Sequence, residues 1–182
     1  GFASAALLNP DNALQVQLTP ATPLTNGNYT LTATNISDLK GNIAAAQSVS
    51  FTYFAPLAQS IIITEIMADP DPPVALPNFE YIEIYNTTDA DIPLNTLRFA
   101  DQYPITTGGF LPNVLLLPKQ YAIICKTGDA ATALAQYGIV AAIPDFPSIN
   151  NTGESLYLTD LSGNNLIDQA NFTDKWYNDT NK

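Results

Sequence analysis

Apolar and polar residues alternate with a period of two along much of this sequence, and a helical period is nearly absent. Before residue 57 the alternation predicts strands over residues 14–19, 29–34 and 49–53, each with one core face and one wet face. Gly- and Asn-containing turns lie between them, at residues 24–28 and 37–42. Short strands separated by such turns predict an all-β sandwich.

A pause at "FAPLAQS" (residues 54–60) is followed by the apolar run "IIITEIM". We place a domain boundary there, which separates residues 1–57 from residues 58–182. In the following strand, Ile82 and Ile84 point to one side and are assigned to the core.

Later in the chain, alternation on both sides of residues 162–165 predicts a β-hairpin. Only residues 128–138, "GDAATALAQYG", suggest a helix. Asp129 is the expected cap of this helix, and Gly138 is its expected end.

The composition excludes several classes of partner. The chain has 182 residues, of which 46% are hydrophobic and 13% charged, so a folded core is expected. Six basic residues against 17 acidic ones give a net charge of −11, which repels nucleic acids and anionic lipids. The longest apolar runs have the length of a strand, so membrane insertion is not expected.

The residue types also exclude common catalytic chemistry. The chain has no histidine, which rules out Ser-His-Asp and Cys-His catalysis and His-ligated zinc within it. Its single cysteine, Cys125, cannot form an intrachain disulfide and lies in an alternating segment, which favours a small packed residue over a reactive thiol. We expect the chain not to be an enzyme.

Carboxylates offer one candidate metal site. Asp69 and Asp71 in the loop "ADPDPP" are weak Ca²⁺ candidates. The loop lacks the Asp-x-Asp-x-Asp-Gly pattern and is stiffened by prolines, so a solvated loop without a cofactor is the favoured interpretation. "SDLKGN" and "TDLSGNN" are interpreted as turns that begin at an aspartate. Further acidic residues expected on elements beside the candidate loop are Glu65, Glu80, Glu83 and Asp101.

Aromatic side chains raise the alternative of a sugar-binding strip. On strands of a β-sandwich such residues are more often core residues or cross-strand pairs, which is the favoured interpretation. The aromatic residues concerned are Tyr81, Tyr85, Tyr103, Tyr121, Tyr157, Trp176 and Tyr177.

The first part of the chain resembles a known type of spacer domain. "NGNYTLTATNISDLKGNIA…SVSFTY" is similar to the C-terminal strands of bacterial immunoglobulin (Ig)-like domains, with residues 29–32 as the Tyr-Thr-Leu-Thr strand. Asp38, Gly41 and Asn42 match the turn that follows this strand in those domains. The resemblance implies that residues 1–57 are a partial Ig-like domain.

The second part resembles the lamin tail domain, an Ig-like module of nuclear lamins and of secreted bacterial proteins. "IIITEIMADPDP…NFEYIEIYNTTDADIPLNTLRFAD" is similar to the opening of that domain, and "INNTGESLYLTDLSGNNLIDQANF" to its closing hairpin. Leu97 stands where the family usually has tryptophan. The resemblance implies an Ig-like β-sandwich of the lamin-tail type over residues 58–182, preceded by the partial Ig-like unit.

This resemblance implies a non-catalytic structural, adhesive or tethering module of a larger secreted or cell-surface bacterial protein. The expected partners are other domains of the parent chain, or surface proteins and glycans. The alternative is a carbohydrate- or Ca²⁺-dependent ligand-binding module that accompanies a secreted hydrolase.

The two ends suggest a segment cut from a longer protein. The chain begins without methionine, and Lys182 precedes the Gly-rich turn and Ser-Leu-Glu strand that the resemblance implies. Three strands hide a core poorly. We therefore expect the first unit either to pack on the lamin-tail module or to associate with a second chain through an open edge strand.

Overall fold

The structure is a computed structural model that describes residues 1–9, 12–38 and 40–177. The chain divides into two compact units, Gly1–Ala55 and Pro56–Lys182. The strands of the first unit are β1 (Phe2–Asn9), β2 (Asn12–Pro20), β3 (Gly27–Ala33) and β4 (Gln47–Tyr53). The elements of the second are β5 (Ile61–Met67), β6 (Tyr81–Asn86), β7 (Ile92–Pro93), β8 (Leu97–Ala100), β9 (Leu115–Leu116), β10 (Tyr121–Lys126), α1 (Asp129–Leu134), β11 (Ile139–Ile143), β12 (Ser155–Asp160) and β13 (Leu166–Asn171), with short 3₁₀ helices at Leu94–Thr96 and Asp174–Tyr177.

The first unit contains two antiparallel hairpins, β1–β2 and β3–β4. The three predicted strands are confirmed as β2, β3 and β4. Strand β1 was not predicted, because the sequence "FASAALLN" is rich in alanine and shows no clean alternation of apolar and polar residues.

The β3–β4 hairpin has one hydroxyl face and one apolar face. On the first, Oγ1 of Thr32 and Oγ of Ser48 lie 2.9 Å apart. On the second, the rings of Tyr29 and Phe51 stack with centroids 5.7 Å apart. Phe51 and Val49 nevertheless expose 42% and 58% of their surface, so the expected core face is wrong for this hairpin. A two-stranded sheet buries a face only where another layer covers it.

The second unit is the predicted β-sandwich. Its larger sheet has the order β11-β10-β6-β5, in which only the β10–β11 pair is parallel. Its smaller sheet has the order β13-β12-β8 and is antiparallel throughout. The β12–β13 hairpin confirms the one predicted around residues 162–165. Short strands β7 and β9 pair separately.

The main core lies between the two sheets. Burial of one large aliphatic or aromatic side chain contributes about 1.5–3 kcal/mol, so this layer is the main source of stability. Its fully buried members include Ile82, Ile84 and Ile124 from the larger sheet and Phe99, Leu156 and Leu158 from the smaller one. The assignment of Ile82 and Ile84 to the core is confirmed.

A second, smaller core lies on the outer side of the larger sheet, beneath α1. Tyr81, Cys125 and Leu134 are buried there. Helix α1 is shorter than predicted and ends at Leu134. Its N-cap is Gly128, with φ +96°, and no side chain caps the helix, so the expected cap by Asp129 is wrong. The chain passes from β10 into α1 through the positive φ of Gly128, a conformation that glycine adopts without a steric penalty.

Arg98 on β8 is a buried cation, with 4% of its surface exposed. Its Nε donates to the carbonyl of Gly108 at 2.7 Å, and its Nη1 donates to that of Ile105 at 2.9 Å. The guanidinium also lies 4.5 Å from the ring centroid of Phe110. Arg98 thereby holds the loop that follows β8 against the smaller sheet.

Asn86, at the end of β6, is fully buried, and its side chain binds two other segments of backbone. Its Nδ2 lies 2.8 Å from the carbonyl of Ala90 and 3.0 Å from that of Leu117, and its Oδ1 accepts the backbone N–H of Thr88.

In the part of the chain that the structure describes, no helix is long and apolar enough to cross a membrane.

Candidate interaction surface

The loop with the candidate calcium ligands lies between β5 and β6. Asp71 accepts a long hydrogen bond of 3.4 Å from Nδ2 of Asn78. Asp69 borders a hollow of about 30 Å³ together with apolar and proline side chains. Over residues 1–9, 12–38 and 40–177, no group of three or more Asp, Glu, Cys or His side chains could hold a metal ion. Asp69 and Asp71 stay weak calcium candidates, and the favoured interpretation of a solvated loop without a cofactor stays a prediction.

The acidic residues expected beside this loop have other environments. Glu65 accepts the hydroxyl of Tyr81 at 2.5 Å, and Glu83 accepts the hydroxyl of Thr64 at 2.7 Å. Asp101 is exposed beyond the end of β8, a strand of the other sheet. The bulge in β5 between Ile63 and Glu65, which lies beside these contacts, had no signal in the sequence.

Two aspartates serve as turn acceptors, as predicted. Asp38 accepts Nδ2 of Asn42 at 2.7 Å, and this side-chain bond together with backbone N–H donors lowers the pKa of Asp38. Burial raises the pKa of Asp160, but hydrogen bonds from Ser162 and Asn165 outweigh it, so the pKa is lowered. Both carboxylates use their oxygens to close turns.

Cys125 has no exposed surface and belongs to the smaller core, which confirms the prediction of a packed residue. Burial raises the pKa of its thiol to about 11. At neutral pH the thiolate is therefore scarce, and the site lacks the chemistry of a reactive cysteine.

The aromatic residues considered for a sugar-binding strip are divided between separate places. Tyr103 stacks on Tyr157, with centroids 5.6 Å apart, on the outer side of the smaller sheet. The rings of Trp176 and Phe172 contact each other edge-on, with centroids 6.3 Å apart. Tyr81 is buried, and the side chain of Tyr177 lies outside the described part of the structure. The described aromatic residues therefore do not form one strip.

Tyr85 and Tyr121 form an aromatic pair on the outer side of the larger sheet. They are opposite each other on β6 and β10, their ring centroids lie 4.6 Å apart, and their planes are inclined by 38°. Tyr121 exposes 50% of its surface. Ile62 is opposite Tyr85 on β5 and extends the same face. We call Ile62, Tyr85 and Tyr121 the tyrosine face.

A cleft of about 400 Å³ lies at the opposite end of the same two strands. Glu80 precedes β6 and Lys126 ends β10, while Asp129 begins α1. We call this the charged cleft, and its lining includes Phe79, Glu80, Lys126, Asp129, Phe146 and Ser148. The sequence offered no signal for it, because these residues come from three separate segments of the chain.

Comparison with known families agrees with this architecture. The sequence model of the Lamin Tail Domain matches residues 55–174, which is about two thirds of the chain and includes both sheets of the sandwich. No curated protein matches the chain. The sandwich, its closing hairpin and the family match together show that the chain belongs to the lamin tail domain family.

Proposed function

We propose that this chain is a non-catalytic structural and tethering module that binds another protein through the tyrosine face. The observation that carries the proposal is the pair of neighbouring, outward-facing rings of Tyr85 and Tyr121 on a rigid sheet. Tyrosine is enriched at protein interfaces, because its ring supplies apolar contact area and its hydroxyl stays wet. An interaction role is in keeping with the Ig-like fold of the lamin tail family.

The position of the pair supports this role. Tyr85 and Tyr121 lie on the two central strands of the larger sheet, β6 and β10, so their backbones are held on both sides. Such a rigid platform loses little conformational entropy when a partner binds. Ile62 on the neighbouring strand adds apolar area to the same surface.

We place the module in a secreted or cell-surface bacterial protein, where its partner is another domain of the parent chain or a surface protein. The acidic composition supports this setting, because a net charge of −11 keeps an array of sandwiches soluble. The module would then space or anchor neighbouring domains, and any turnover would belong to another domain.

The test is binding of the purified chain to cell-envelope material from the bacterium that encodes it. Wild-type chain should bind saturably, and binding should disappear when Tyr85 and Tyr121 are both changed to serine. The matched control changes Tyr103 and Tyr157 to serine on the other sheet and should bind like wild type. Equal binding by both double variants would refute a role of the tyrosine face.

Pretreatment of the envelope material distinguishes a protein partner from a glycan. Protease treatment should abolish binding, and periodate oxidation of sugars should leave it intact. The reverse result would establish the carbohydrate-binding alternative. The inclination of 38° between the two rings favours the protein partner, because a pair of inclined rings does not form a flat platform for a sugar.

The first unit supports a second kind of contact, in which the β3–β4 hairpin pairs with a second copy of the chain. Natural edge strands avoid such pairing by carrying charged residues or prolines, and β3 and β4 contain neither. The test is the solution mass of the chain with Val49→Lys, which should be monomeric, while the wild type should form a dimer. A monomeric wild type would exclude this contact.

A further inference from the structure

We propose that the charged cleft binds the guanidinium group of an arginine side chain presented by a protein partner. The cleft joins the start of β6, the end of β10 with the start of α1, and the loop after β11, so three separate segments form its walls. Glu80 and Asp129 supply carboxylates, and the half-buried ring of Phe79 supplies aromatic surface, while Phe146 is buried and stacks on Phe99. Carboxylates beside aromatic rings form the environment that binds a guanidinium best.

Glu80 carries a negative charge that its own surroundings compensate poorly. It is half-buried at the edge of the cleft. Burial first, and then the nearby carboxylate of Glu154, raises the pKa of Glu80, and the backbone N–H of Ile149 and the charge of Lys126 offset this only in part. An entering cation would relieve this destabilised carboxylate, which gives the site a preference for positive charge.

Lys126 narrows the choice of ligand. Its charge acts on Glu80, but in the described part of the chain the only ion pair within 4.0 Å joins Lys119 to Asp89, so the ammonium of Lys126 has no carboxylate in direct contact. A cation that brings no hydrogen-bond acceptor of its own would meet the repulsion of this ammonium without compensation. A peptide instead offers carbonyl oxygens beside its arginine, and Lys126 and the hydroxyl of Ser148 can donate to them.

The charge of the second unit supports a basic partner. Residues 56–182 contain 15 of the 17 acidic residues but only five of the six basic ones, a net charge of −10. A field of this sign attracts basic peptides and accelerates their encounter with the protein. The cleft is the place where that general attraction would become specific.

The experiment uses the full chain, labelled with ¹⁵N, and the peptide acetyl-Gly-Arg-Gly-amide as the probe. Saturable shifts of the amide signals should be confined to the cleft. The same peptide with citrulline, a neutral analogue of arginine, should give no saturable shifts. Glu80→Gln should weaken binding of the arginine peptide about tenfold, as expected for the loss of a charge-assisted hydrogen bond.

Two controls and one alternative variant make the result decisive. Asp89→Asn removes the same charge at an exposed position and should change the affinity less than about twofold, because it alters only the general field. Asp129→Asn, at an exposed residue of the cleft, serves as a second variant if Glu80→Gln does not fold. The chain with Tyr85→Ser and Tyr121→Ser should bind the peptide normally, so this proposal is tested separately from the tyrosine face.

Two results would overturn the proposal. One is equal binding of the arginine and citrulline peptides, which would exclude recognition of charge. The other is an equal loss of affinity in Glu80→Gln and Asp89→Asn, which would reduce the effect to non-specific attraction by an acidic protein.

Discussion

The backbone N–H of Ile63 donates a 2.7 Å hydrogen bond to Oδ2 of Asp168. A side chain of β13 therefore accepts a backbone hydrogen bond from β5, which is an edge strand of the larger sheet. The other oxygen of Asp168 accepts Nε2 of Gln59, also at 2.7 Å. Only 9% of Asp168 is exposed. This one carboxylate therefore joins the edge strands of the two sheets at the side where the sandwich is open.

Replacement of this carboxylate should weaken the sandwich. Asp168→Asn keeps the shape of the side chain but places an NH₂ group opposite a donor, which leaves Ile63 or Gln59 unsatisfied. We expect the free energy of unfolding in urea to fall by about 1–3 kcal/mol. Asp101→Asn, at an exposed position, is the control and should change it by less than about 0.5 kcal/mol. Equal values for the two variants would contradict the role of Asp168.

Arg98 should resist a conservative replacement. Lysine has no planar fork, so it cannot donate to the carbonyls of both Gly108 and Ile105 in the geometry that arginine uses. We expect Arg98→Lys to lower the free energy of unfolding by about 2–4 kcal/mol. The reciprocal exchange at an exposed site, Lys119→Arg, should be nearly neutral. Chemical denaturation of both variants checks this, and a neutral Arg98→Lys would be the contrary finding.

Two glycines should respond to alanine in opposite directions. Gly163 has φ +77°, and a Cβ there would lie 1.9 Å from the carbonyl oxygen of Ile105. Gly163→Ala should therefore destabilise the protein by more than about 1 kcal/mol. Gly138 has open space around it, so Gly138→Ala should be neutral or stabilise by up to about 1 kcal/mol. Thermal melting of the two variants side by side measures the difference.

Cys125 should make stability fall at alkaline pH. Its pKa rises to about 11 in the folded state, from an ordinary value of 9.0, so the folded state holds its proton more tightly than the unfolded state. The resulting contribution is fully present below pH 9 and is lost as the pH rises to about 11. This contribution to the free energy of unfolding amounts to roughly 2–3 kcal/mol, because one pKa unit corresponds to about 1.4 kcal/mol.

The measurement is the free energy of unfolding between pH 8 and 11 for the wild type and for Cys125→Ala. The wild type should lose more stability over this range than the variant. In parallel, a thiol reagent at pH 8 should label Cys125 only after unfolding. Rapid labelling of the native chain would show that the thiol is accessible after all.

Calcium should leave the melting temperature unchanged. Asp69 and Asp71 lack a third acidic neighbour in the described part of the structure, and a ligand that binds only the folded state must raise the midpoint. Melting with millimolar CaCl₂ and with EDTA checks this. A rise of several degrees that EDTA reverses would show a site, and Asp71→Asn would then locate it in this loop.

Local patterns were sufficient for most of the fold. The alternation around Ile82 and Ile84 depends only on the two-residue period of a strand, so it identified the core face without knowledge of the neighbours. The turn at Asp160 was equally local, because the donors that its carboxylate binds lie within five residues. The helix was located but its cap was misassigned, since the choice between Gly128 and Asp129 depends on the φ angle at which the preceding strand enters it.

The sequence by itself thus determined the all-β class, the strand-and-turn order, the main core face and the resemblance to the lamin tail family, because these depend on short periods and local turn chemistry. Only the tertiary structure decided the pairing of Tyr85 with Tyr121, the charged cleft around Glu80 and the bond between Ile63 and Asp168. These features join residues from distant segments of the chain, and sheet order and register, which bring such segments together, leave no trace in local spacing.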